Sequence, residues 1–150
     1  MAIHRRRKLR WASGIMVFLG AGHLCLLAAI AWGDVVGWAE RGWWAAVPLA
    51  FGGDTVTTVA SLQNKVTFWS GPASFAVPLV LLGCLLWHLS GRGVAVPAAI
   101  GWTLAAWCAL AGIILVPSPF FLGIVSGLLI VLAARHRTPQ GAAPEAPGVS

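Results

Sequence analysis

From Ala12 to Gly33 the chain carries no lysine, arginine, aspartate or glutamate. A helix over that stretch rises about 33 Å at 1.5 Å per residue, enough to cross a hydrocarbon core about 30 Å thick. Three further apolar runs follow, over Phe68 to Leu89, Ala95 to Val116 and Phe120 to Ala134. The last begins within Pro117-Ser118-Pro119, which reads as a tight hairpin turn. Basic residues precede the first run, and Ala29-Ile30-Ala31 imitates a signal-peptidase site. A signal h-region is shorter, about 7–15 residues, so the run reads as a span. Four spans are therefore expected, over about residues 12–33, 68–89, 95–116 and 119–134.

Composition agrees. Of 150 residues, 59% are hydrophobic and only 9% charged, where a soluble domain carries about 25% charged. The mean hydropathy is +0.84. An ordinary soluble enzyme, a disordered protein and a nucleic-acid-binding domain are excluded despite the net charge of +6. No nucleic-acid partner is expected, because the basic residues lack interleaved aromatic platforms and a soluble body.

The charges sort by position. Arg5, Arg6, Arg7, Lys8 and Arg10 precede the first run, Arg92 separates two runs, and Arg135 and Arg137 follow the last. With four spans all eight fall on one side, leaving Arg41 and Lys65 on the other. The positive-inside rule makes both termini cytoplasmic in a bacterial inner membrane, and the N-terminal cluster an anchor to anionic lipid. Asp34, Glu40 and Asp54 then lie outside. Trp11 and Trp87 mark inner span ends, Trp32 and Trp69 outer ones, and Trp38, Trp43 and Trp44 lie in the outer loop, as an indole settles at headgroup level. Trp102 and Trp107 fall inside a span and need partners for their N–H groups, or face lipid.

The segment 34–67 is too long for a simple connector. Asp34 is expected to cap a helix running to about Ala50, with Val36, Trp43, Val47 and Ala50 on one side and Glu40 and Arg41 on the other. Such a helix is interfacial or re-entrant. Gly52-Gly53 would break it, and Asp54 would cap a second helix carrying Val56, Val59, Gln63 and Val66. Pro72 and Pro78 are expected to kink the second span rather than end it. The tail 138–150, rich in Pro, Gly and Ala, reads as disordered, leaving 1–137 as one membrane domain.

Small residues decide packing in lipid. Gly123 and Gly127 form a GxxxG pair; Gly101, Ala105 and Ala109 repeat every four residues; Gly14 and Gly20-Ala21-Gly22 thin the first span. They suit packing within an antiparallel bundle, or, for Gly123 and Gly127, a homodimer seam.

His23 is the one ionisable group deep in a span, which makes it a functional candidate for binding, proton relay or metal ligation. The plainer reading is a neutral imidazole bonded to a nearby carbonyl or to Thr103. No metal and no cofactor is expected. His88 lies at a span end, away from His23 in depth, so a bis-His haem is disfavoured. Cys25, Cys84 and Cys108 form no CxxC pair and read as small packing residues. Gln63, Asn64 and Lys65 form a polar group above the second span. With His23, Asp54, Trp43, Trp44, Trp69 and Trp107 they suggest the lining of a pocket open to the outer leaflet. No aspartate-rich magnesium motif, P-loop, GxSxG or HExxH is present.

Trp11-Ala12-Ser13-Gly14, Gly20-Ala21-Gly22-His23, Phe68-Trp69-Ser70-Gly71-Pro72, Pro78-Leu79, Leu82-Gly83, Val96-Pro97, Gly101-Trp102 and Pro117-Ser118-Pro119-Phe120-Phe121-Leu122 resemble an uncharacterised family of small four-span bacterial membrane proteins, frequent in actinobacteria. The Gly-rich, His-containing first span is more distantly similar to DoxX-like four-span proteins. The resemblance implies a fold and no activity.

The expected fold is all-α: an integral membrane antiparallel four-helix bundle with an extracytoplasmic interfacial helical segment. Two functions fit. One is a protein that binds membrane lipid, a hydrophobic small molecule or a partner membrane protein. The other is a membrane-embedded isomerase or cyclase on an apolar substrate, with His23 and Asp54 as acid and base.

Overall fold

The computed structural model describes residues 2–43, 46–47, 58–115 and 119–135. Among them the chain is all-helical, with six helices and no strand: α1 (Ala2–Ile30), α2 (Trp32–Glu40), α3 (Val59–Ser70), α4 (Ala76–Gly91), α5 (Ala98–Ile114) and α6 (Phe120–Arg135). One helix, over Ile3–Ile30, is long and apolar enough to cross a membrane; α4, α5 and α6 are apolar and shorter. The N-terminal basic cluster is part of α1 itself and not a separate flank.

The described residues fall into two compact units, one within 1–12 and 86–150, the other within 13–85. In the first, α5 and α6 pack at glycine. A Cβ on Gly127 would stand 2.5 Å from the Gly101 carbonyl oxygen and 2.8 Å from Ala105 Cβ, and a Cβ on Gly101 would meet the Gly127 carbonyl and Val131. Gly123 lies against the Cys108 side chain. The expected small-residue faces are thus occupied by each other within one chain. Ser126 donates its hydroxyl to the Ala12 carbonyl at 3.3 Å. Arg5 donates to the Gly93 carbonyl at 2.6 Å, and the Arg10 guanidinium lies 5.1 Å from the centre of the Trp87 ring. The first contact joins the start of α1 to the α4–α5 connection, and the second joins it to the end of α4.

In the second unit α1 meets α4 through Gly20 and Gly83. A Cβ on Gly20 would stand 2.6 Å from the Ala76 carbonyl oxygen, and one on Gly83 would stand 3.1 Å from that of Ser13. Ser13 donates its hydroxyl to the Gly83 carbonyl at 2.5 Å.

Four expectations for residues 34–78 need correction. Asp34 is not a cap: α2 starts at Trp32, and Asp34 is in its first turn, where a carboxylate complements the helix dipole. The helix stops at Glu40 rather than near Ala50. Gly42 takes a left-handed φ of 80°, its N–H reaches the Ala39 carbonyl, and the Trp43 N–H reaches that of Trp38. This pair of bonds is a Schellman stop; Trp43 and Val47 therefore lie beyond α2. The second helix is capped by Thr58, whose hydroxyl accepts the Ser61 N–H at 3.2 Å; Asp54, like Trp44, Ala50, Gly52-Gly53 and the tail, lies outside the described residues. Helix α3 carries Val59, Gln63 and Val66 as expected, all exposed, and Thr67 is its buried residue.

The fourth correction concerns Pro72. The chain does not continue through it as one kinked helix: α3 ends at Ser70 and α4 begins at Ala76. Pro72 cannot supply the N–H that a continuing helix or a full Schellman stop needs; the Gly71 N–H still reaches Thr67, and past Pro72 the Ala73 N–H returns to Phe68. Ser74 then accepts the Ala76 N–H and starts α4. Pro78 falls in the first turn of α4, where a missing N–H costs nothing.

Candidate functional site

Two polar pairs join α2 to α3. Asp34 and Trp38 are four residues apart on α2, and Asn64 and Thr67 three apart on α3, so each pair shares one helix face. Thr67 donates its hydroxyl to an Asp34 carboxylate oxygen at 2.6 Å. Trp38 donates its indole N–H to the Asn64 side-chain oxygen. The Asn64 amide donates in turn to the Ala46 carbonyl at 3.0 Å. Asn64 thus uses its acceptor on one wall and a donor on the segment after α2. The Trp38 ring, 4% exposed, keeps no free polar atom.

Beside this clamp lies an open groove of about 270 Å³, lined by Trp38, Trp43, Ala46, Val47, Phe68 and Pro72. Trp38 and Phe68 meet edge to face at 6.3 Å, and Phe68 meets Trp69 in the same way at 5.6 Å. Trp43 reaches the groove through a left-handed turn, with φ of 65°, a conformation that is uncommon for a bulky residue. No lining side chain is charged. Its lining, three aromatic rings with aliphatic groups, suits an apolar guest.

The expected site residues divide. Trp43 lines the groove, Asn64 holds its wall, and Trp69 stacks behind Phe68 with its own ring exposed. Gln63 is exposed and takes no part among these contacts. His23 is exposed and places Nε2 2.8 Å from the Ser70 carbonyl oxygen, so that nitrogen carries the proton and donates. It closes the last turn of α3 and is not a lining residue. Trp107 is half-exposed on α5, in the other unit. Trp44 and Asp54 lie outside the described residues. Trp38, Phe68 and Pro72 were not expected as site residues. The signal for Trp38 was its four-residue spacing from Asp34, matched by Asn64 and Thr67.

Among the described residues no group of three or more His, Cys, Asp or Glu could hold a metal ion, and Cys25, Cys84 and Cys108 are free thiols. Comparison with curated proteins and with solved structures returns no match. One family model does match, over residues 7–137, and its description is a family of unknown function, DUF6463.

Proposed function

Because the chain belongs to the DUF6463 family, whose function is unknown, we propose from its own geometry that it is a multi-pass bacterial inner-membrane protein that binds a lipid or another hydrophobic molecule. The observation that carries the binding half is the uncharged aromatic groove over Trp38, Trp43, Ala46, Val47, Phe68 and Pro72. The Trp38 indole and the Asn64 amide beside it are already paired, so neither is left unsatisfied by an apolar guest.

The membrane half draws on exposure. The most apolar window of α1 is only 17% buried, which argues against a core helix of a soluble protein. Phe18 is 72% exposed and Ile113 77%, with Leu26, Leu81, Leu110, Ile114 and Phe121 also outward. Surface of this kind is stable against hydrocarbon. Spans built on α1, α4, α5 and α6 give the four-pass topology with both termini cytoplasmic. The contacts of Arg5 with Gly93 and of Arg10 with Trp87 favour placing the N-terminal cluster and the Arg92 loop on one face.

The acid/base reading rests on His23 and Asp54; His23 engages the Ser70 carbonyl, and no described contact gives it a reacting partner. The test is lipid retention. The full chain is purified in mild detergent and co-purifying lipid is weighed by native mass spectrometry. Wild type retains bound lipid, and Trp43→Ala with Phe68→Ala loses most of it while the helical circular dichroism persists. Equal retention by the double variant would overturn the groove assignment. Reporter fusions after residues 10, 92 and 137 check the topology: all three must report cytoplasm.

A further inference from the structure

Contacts along α1 fix the level of the joint between α3 and α4. Ser13 donates to the Gly83 carbonyl at 2.5 Å. A Cβ on Gly20 would stand 2.6 Å from the Ala76 carbonyl oxygen and 2.6 Å from Val80 Cγ2. His23 Nε2 donates to the Ser70 carbonyl at 2.8 Å. Leu27, one turn beyond His23, packs where a Cβ on Gly71 would stand 2.6 Å from its Cδ2. Along α1 the partners therefore run back from Gly83 through Ala76 to Ser70 and Gly71. Beyond α1 the same order continues, with Asp34 on Thr67 and Trp38 on Asn64. The uncharged run Ala12 to Gly33 has its centre between Gly22 and His23. At 1.5 Å per residue, Gly20 lies about 4 Å to one side of that centre and Leu27 about 7 Å to the other. Half of a hydrocarbon core is about 15 Å, so a spanning α1 holds the Ser70–Gly71 joint inside the core, in its outer half. Helix α4 has 16 residues. It is about 24 Å long and starts near the centre, so the last turns of α3 complete the crossing.

The side chains of α3 suit that place. Val59, Leu62, Val66 and Trp69, spaced three, four and three residues apart, share one face and are all exposed. Asn64 and Thr67 spend their polar atoms on Trp38, Ala46 and Asp34. A helix on a water-facing surface carries the reverse pattern. Gln63 and Lys65 lie more than a turn nearer the outer surface than Ser70, and a lysine stem carries its charge further out. Phe68 and Pro72, two of the groove's lining residues, flank the Ser70–Gly71 joint. On the basis of the membrane and groove readings above, we infer that the groove opens sideways into the outer half of the hydrocarbon core. Its guest is an acyl chain of a resident membrane lipid, which enters without crossing water. Chain methylenes at that depth match the uncharged lining, whereas a water-borne guest must first pass the headgroups. Trp69, exposed beside Ser70, then sits among acyl chains, deeper than the level at which an indole usually settles.

The test uses bromine on the acyl chain, which quenches nearby indoles and so reports their depth. The full chain is reconstituted in vesicles of phosphatidylcholine brominated either near the chain end or near the headgroup, and iodide serves as the aqueous quencher. The signal of Trp69 is the difference between wild type and Trp69→Phe, and that of Trp43 the difference between wild type and Trp43→Phe. Helical circular dichroism checks that both conservative variants fold. Chain-end bromine is expected to remove more of the Trp69 signal than headgroup-side bromine, and iodide to remove little of it. Acyl bromine is expected to quench Trp43 as well. A Trp69 signal lost mainly to headgroup-side bromine or to iodide puts the joint at or above the headgroups and overturns the sideways opening. A Trp43 signal untouched by bromine at either position overturns the acyl guest. The groove reading itself falls separately, if lipid retention survives Trp43→Ala with Phe68→Ala.

Discussion

Substituting Gly127 by alanine adds one methyl group to α6 where no space exists. The new Cβ would sit 2.5 Å from the Gly101 carbonyl oxygen and 2.8 Å from both Ala105 Cβ and its nitrogen. Ordinary contact begins near 3.4 Å, so α5 and α6 must part by about 0.9 Å. Two of the three obstacles are backbone atoms, which cannot rotate aside. A gap of 0.5–1 Å forfeits a quarter to a half of the dispersion attraction along the seam, and overpacking of this kind costs about 1–3 kcal/mol. Alanine recovers up to about 1 kcal/mol of helix propensity. The net expectation is destabilisation by about 1 kcal/mol, or roughly 2–4 °C in Tm for a chain of this size. Gly14→Ala is the control, because nothing lies within 4 Å of its Cβ position; it should leave Tm unchanged or raise it. Thermal melts in one detergent, followed by circular dichroism, compare the two. If Gly127→Ala melts with or above Gly14→Ala, the seam is not as close as described and the reasoning fails.

Asn64→Leu leaves the Trp38 indole and the Ala46 carbonyl without their partner, which should cost about 1–3 kcal/mol; chemical denaturation of both proteins measures it. In a double-mutant cycle of Asp34→Ala and Thr67→Val, the coupling should be about 1 kcal/mol or more, since the hydroxyl donates to a carboxylate; additive effects would remove the pair from the α2–α3 contact. Gly42→Ala should destabilise by about 1 kcal/mol at a left-handed φ of 80° although space is open there, and Gly42→Asn should recover part of the loss in the same melt.

The helices outside segment 34–75 were legible because long uncharged runs and four-residue glycine spacing are strong signals. Gly101, Ala105, Gly123 and Gly127 were read as a close-packing set, and they pack. The segment 34–75 was harder because its cues were ambiguous. Asp34 can serve as a cap or as a first-turn carboxylate, and only its Thr67 partner, 33 residues away, decides. Pro72 can kink or end a helix, and the outcome turned on whether Gly71-Pro72 could still return a backbone bond. Trp38 looked like another interfacial indole. Its burial depends on Asn64, and a contact across 26 residues leaves no mark in local periodicity. His23 was legible as an outlier, though not its acceptor, the Ser70 carbonyl.

The glycine seam also bears on the order of assembly. Its contacts pair α5 with the very next helix, across the short stretch 115–119, so closing it costs little chain entropy. By contrast, Ser126 with Ala12 and Arg5 with Gly93 join residues 114 and 88 positions apart. The last two helices can therefore form a hairpin as soon as both exist, before the distant N-terminal contacts close. A chain emerging from the ribosome would complete its final hairpin independently and use it as the surface on which the first turns of α1 settle last.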